Sequence, residues 1–62
     1  MNKLEKLHAE VKKLEEYYED CSAKAMEKNN IQAMMVYSAK ANAFTRVRWM
    51  IETIMEEFVA DA

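Results

Sequence analysis

From Ile31 to Val59 the chain has no helix breaker. At 100° per residue its apolar positions collect on one side of a helix: Ala33, Val36, Tyr37, Ala41, Ala43, Phe44, Val47, Met50, Ile51, Ile54, Met55, Phe58 and Val59. That arc covers roughly half the cylinder, wider than the stripe one neighbouring helix needs. A narrower apolar set, Ile31, Met35 and Trp49, lies behind it among Asn42, Thr45, Arg46 and Thr53. A helix patterned in this way requires more than one neighbour, and the remainder of the chain supplies one.

The first half reads differently. Leu4, Leu7, Val11, Leu14, Tyr18, Cys21 and Ala25 repeat at alternating spacings of three and four, an a/d seam. The other faces are dense in Lys, Glu and Asp, with Lys12–Glu16 and Asp20–Lys24 spaced for i,i+4 pairing. Asn2 is placed to cap this helix, with Glu5 three residues on. The break between the halves is Lys28-Asn29-Asn30. Asparagine tolerates the left-handed conformation that ends a helix, and it also caps the next one from position 29 or 30. A connection this short makes the helices antiparallel. The rival, one continuous helix, conflicts with the heptad frame, which does not run on past the break. Folding at 29/30 sets residue n opposite about 59 − n. That register brings Lys3 and Lys6 near Glu56 and Glu52, Glu10 near Arg48, and Glu19 and Asp20 near Lys40.

Composition narrows the classes. The 62 residues include no Gly, no Pro and a single Cys, so disulfides are excluded, and one Cys with one His makes a poor zinc site. A domain this small then depends on helix packing and oligomerisation. The net charge is −2, with no global attraction to nucleic acid or anionic lipid, and no apolar run approaches the ~18 residues of a membrane span. The lone thiol and the charged, amphipathic start of the chain read as cytoplasmic, in a bacterial or infected-host cytosol.

No catalytic constellation stands out. His8 at the seam edge has no second histidine, and Cys21 on the seam reads as a small hydrophobe. The acids of the run Glu15-Glu16-Tyr17-Tyr18-Glu19-Asp20 point away from the seam and read as a solvated face; no Glu-x-x-His accompanies them. Lys40 and Arg48 fall inside the apolar arc. Symmetry copies of both, with Tyr17, Tyr18 or Tyr37, would form a cationic, aromatic-walled site for a phosphate-bearing ligand such as a nucleotide; paired with Glu10, Glu19 or Asp20, both would instead lie along the rim. Met35, Asn42, Arg46, Trp49 and Thr53 share the opposite side, a composition typical of protein-binding hot spots.

The segment Ile31-Gln32-Ala33-Met34-Met35-Val36-Tyr37-Ser38-Ala39-Lys40, following the break, resembles small helical hairpins of phage accessory proteins. The resemblance implies a short inhibitor or sequestering protein. In length and topology the chain is also similar to a plasmid RNA-binding regulator family, but its mixed, slightly acidic exposed face argues against nucleic acid.

The resulting expectation is an all-α, single-domain antiparallel two-helix hairpin spanning 1–62, with helix one about 3–28, a turn at 29–30 and helix two about 31–59. It assembles as a homo-oligomeric helical bundle, a four-helix bundle dimer or higher, around Ala41, Phe44, Val47, Ile51, Ile54, Met55 and Phe58. The expected function is non-enzymatic, with no metal or cofactor: a small regulator or inhibitor that binds a partner protein through Met35, Asn42, Arg46, Trp49 and Thr53. The alternative is an oligomer that sequesters an anionic small molecule at Tyr17, Tyr18, Tyr37, Lys40 and Arg48.

Overall fold

A computed structural model describes the backbone of residues 2–61 and the side chains of residues 2–57. The expected packing roles of Phe58 and Val59 lie outside the described residues. The chain forms two helices, α1 (Lys3–Glu27) and α2 (Ile31–Asp61), packed side by side as an antiparallel hairpin of 49 × 18 × 11 Å.

The helix ends follow from asparagine chemistry. Asn2 Oδ1 accepts the Glu5 amide at 2.8 Å and caps α1. At the other end Asn29 adopts a left-handed φ of 59°; its amide bonds Met26 O at 3.0 Å and the Asn30 amide bonds Ala25 O at 2.9 Å. These two bonds form a Schellman closure with asparagine where glycine is usual. Asn30 then caps α2 through Oδ1, which accepts the Ala33 amide at 3.2 Å. One asparagine ends a helix and the next begins one.

The face that α1 turns toward α2 differs from the expected seam. Val11 and Ala25 are buried and Leu4 and Tyr18 half-buried, as the heptad predicts. Leu7 and Leu14, however, remain 50% and 41% exposed, and Cys21 is only half-buried. Their places are taken by the residues one position later, His8, Glu15 and Ser22. Helix α1 is therefore rotated by about 50° from the apolar seam, half of the 100° step between neighbours. On α2, Ala41 and Ile51 complete the buried core, with Phe44, Val47 and Met55 half-buried beside them.

The cause of the rotation lies on α2. Ser22 meets Ser38, Glu15 meets Thr45 and His8 meets Glu52, so residue n faces residue 60 − n at three rungs seven residues apart. The register agrees with the expected fold-back to within one residue, but the expected charge pairs do not form. Arg48 takes Glu15 and Glu52, not Glu10; Glu10 instead lies near Lys13, Asp20 pairs with Lys24, and Lys40 sits over the Tyr18 ring. Polar groups meet across the seam where the heptad would have put Leu7 and Leu14, and they give Arg48 its carboxylate partners. An unpaired Arg48 beneath α1 would instead be costly.

Candidate functional site

The middle of the hairpin is a connected polar cluster. Arg48 grips Glu15 with two donors, Nε to Oε1 at 2.8 Å and Nη2 to Oε2 at 3.2 Å, the bidentate geometry that suits a guanidinium and a carboxylate. Its Nη1 donates to Glu52 Oε2 at 2.9 Å, and His8 Nε2 donates to the same oxygen at 2.9 Å. The Thr45 hydroxyl lies between the Glu15 carboxylate and the Ala41 carbonyl, with one proton to share between them. At the turn end, the Ser22 and Ser38 hydroxyls are 2.7 Å apart and Ser22 also reaches Met34 O. Among the described residues, every buried side-chain nitrogen and oxygen has a hydrogen-bond partner.

Glu15 is the most unexpected member. The sequence reads it as part of a solvated acidic run, yet it is only 6% exposed, because the rotation of α1 turns it against α2. The Arg48 hydrogen bonds, helped by Thr45, hold its carboxyl below the ordinary 4.5 despite burial. The His8 contact, then Arg48, does the same for Glu52, and the two carboxylates raise the Arg48 guanidinium in turn. His8, expected at the rim, is half-buried and tied to Glu52. Two carboxylates, one guanidinium and one imidazole pair with one another here. No group of three His, Cys, Asp or Glu side chains among the described residues is placed to hold a metal ion.

No family model, curated protein or solved structure matches this chain. Function therefore has to be argued from the surfaces.

Two surfaces were singled out from the sequence. The structure brings Tyr17, Tyr18, Tyr37 and Lys40 together. Tyr18 stacks on Phe44 at 5.7 Å and on Tyr37 at 6.2 Å, Tyr17 meets it edge-on at 5.1 Å, and Lys40 Nζ lies 5.4 Å from its ring centre. Arg48 is not part of this group, since its three nitrogens are spent on Glu15 and Glu52. A shallow hollow beside Tyr37, lined also by Cys21, Lys24, Ala25, Lys28, Asn30 and Ala33, opens next to the cluster.

The second surface is the outer band of α2. Met35, Asn42, Arg46, Trp49 and Thr53 are all exposed, and Trp49 and Met35 stand 57% and 62% open. The Thr53 hydroxyl turns back onto Trp49 O at 3.0 Å, so the band offers an indole, a thioether, an amide and a guanidinium with little competing internal bonding. Sequence reasoning missed Glu15, Ser22, Ser38 and Thr45 as partners, and it paired Glu52 with Lys6 where the structure pairs it with His8 and Arg48. The signal was present: 8, 15, 22 and 38, 45, 52 are two polar heptads that run in opposite directions.

Proposed function

We propose that this chain is a non-enzymatic interaction protein, a small regulator or inhibitor that self-associates as a helical bundle and binds a partner protein through Met35, Asn42, Arg46, Trp49 and Thr53. The observation that carries this reading is the open state of Trp49 and Met35 on a band the hairpin itself does not use. Large aromatic and thioether side chains at an exposed, Arg-bearing band gain most by entering a partner's pocket. The mutual pairing of His8, Glu15, Arg48 and Glu52 supports binding over catalysis, because it commits the Arg48 guanidinium to the two carboxylates and one Glu52 oxygen to both His8 and Arg48.

The test is a photo-crosslinking side chain at position 35 or 46 in cells that make the protein. Crosslinks to a distinct protein, lost in Trp49→Asp while helicity is retained, support the reading. Crosslinks to the chain's own copies alone would overturn it.

A second reading, sequestration of a phosphate-bearing ligand, is favoured by the Lys40 ammonium on the Tyr18 ring beside the hollow at Tyr37. It rests on Lys40 and the tyrosines without Arg48. Binding of a nucleotide that Lys40→Ala removes and Trp49→Ala preserves would select it.

A further inference from the structure

About 120° around α2 from the Trp49 band, this helix carries a second pattern that the hairpin leaves largely exposed. Ala33, Val36, Lys40, Ala43, Val47, Met50 and Ile54 follow 3-4-3-4-3-4 spacing, a complete a/d stripe over three repeats. It is not the face α2 turns to α1. Val36 and Met50 are 52% and 58% exposed, Lys40, Ala43 and Ile54 are also exposed, and Ala33 and Val47 are half-buried. The flank of α1 that was rotated out, with Leu7, Leu14 and Tyr17, continues this face. The continuity shows at Cys21, which lines one hollow together with Ala33 and Tyr37.

We infer that this face is covered by a second copy of the chain, with the two α2 helices antiparallel and crossing near Ala43. This rests on the self-association in the reading above and assigns it a face separate from the partner band. Three observations point to a second copy over a foreign protein. First, the stripe fits its own reverse: small Ala43 lies near the middle, with Val36 on one side and Val47 and Met50 on the other, so inversion brings Val36 level with the Val47–Met50 turn of the partner.

Second, charge favours the antiparallel sense. The open end carries Lys3, Glu5, Lys6, Glu52, Glu56 and Glu57, a net −2 (two positive, four negative), while Asp20, Lys24, Glu27 and Lys28 near the turn cancel. An antiparallel pair places each acidic end beside the other copy's turn, whereas a parallel pair would stack the acids. Lys40, the one charged residue in the stripe, already has its ammonium over the Tyr18 ring, 5.4 Å from the ring centre.

Third, the area is sufficient. The stripe runs about 32 Å at 1.5 Å per residue. With the 18 Å width of the hairpin, the two copies together would bury about 1,150 Å², which clears the ~1,000 Å² lower bound for a specific interface.

The test is disulfide trapping in a Cys21→Ser background, read by non-reducing gels and by mass in solution. Ala43→Cys should form covalent dimers at least about tenfold faster than Trp49→Cys, because only paired Cβ atoms within reach can close the bond. Mixing Val36→Cys with Met50→Cys should give the mixed dimer ahead of either homodimer, which separates antiparallel from parallel pairing. A monomeric mass, equal rates at 43 and 49, or a Met50→Cys homodimer in preference to the mixed one would overturn the inference. Failure at position 43 leaves the partner band untouched, since that reading is tested by crosslinks from positions 35 and 46.

Discussion

Between α1 and α2 the hairpin holds three half-buried polar rungs, while on another face of α2 six of the seven heptad positions from Ala33 to Ile54 are apolar. An isolated hairpin would be expected to place its leucines inside and its serines, histidine and glutamates outside. The inversion separates two tasks. Polar rungs contribute little net stability, because pairing only recovers what desolvation costs, but they discriminate strongly among alignments. A slip of one heptad would set Glu15 opposite Glu52, two like charges with Arg48 out of place. In the pairing proposed above, the apolar stripe would contribute association energy in proportion to the area it covers. The polar contacts lie between the helices, and the larger exposed apolar residues lie outside them.

The comparison breaks most completely at the few residues that serve as true core. Ile51 is buried against α1, and Ile51→Asp would place an unpaired carboxylate there at a cost of about 4 kcal/mol or more. That approaches the whole stability of a small domain. Circular dichroism should show the helical signal lost; a variant that stays helical and assembled would remove Ile51 from the core.

A sharper probe separates the rungs from the stripe. Arg48→Ala leaves Glu15 buried without its guanidinium and should lower the urea midpoint clearly. Glu15→Leu combined with Arg48→Leu should recover most or all of that loss, because a well-packed apolar pair replaces a buried ion pair at little cost. The double variant should also pack its hairpin less uniquely. With Ser22→Cys and Ser38→Cys added in a Cys21→Ser background, the 22–38 disulfide should form more slowly than in the parent sequence, where the two hydroxyls sit 2.7 Å apart. An unchanged disulfide rate would show that the turn alone sets the alignment.

The acid limb of the stability profile gives a smaller effect of defined sign. Glu15 and Glu52 both titrate below the ordinary 4.5 when folded. Their contribution is thus complete above that value and is lost as pH falls through the depressed folded values. Stability measured from pH 6 down to pH 3 should fall in the native protein and fall less steeply in the Glu15→Leu, Arg48→Leu variant. Equal slopes would mean the cluster is fully solvated.

The smallest effect belongs to Asp20–Lys24, 3.0 Å apart on the exposed side of α1. Hydrogen bonding to Asp20 raises the Lys24 ammonium, yet the pair faces open water and salt screening. Lys24→Ala should leave the urea midpoint unchanged within error. A loss comparable to Arg48→Ala would mean that surface pairs, not the half-buried rungs, hold this hairpin.

Much of the architecture was legible in the residue order, because its causes are local. A capping asparagine at position 2, asparagines at 29 and 30 able to take the left-handed turn and then a cap, and two breaker-free runs all act within a few residues of themselves. They determine two helices, their bounds to within a residue or two and their antiparallel course. The exposed band at Met35 and Trp49 was legible for the same reason, since periodicity alone separates it from the main apolar arc.

What only the tertiary structure decided is the rotation of α1 about its own axis. Leu7, Leu14 and Cys21 or His8, Glu15 and Ser22 could each have flanked Val11 and Tyr18, and hydropathy ranks the first set higher. The choice fell to Ser38, Thr45, Arg48 and Glu52, between 16 and 44 residues away, which reward the polar set and leave the leucines outward. Helix propensity and capping are read one turn at a time. Which face of a helix is inside depends on the groups that come to meet it, and those are known only once the chain has folded back.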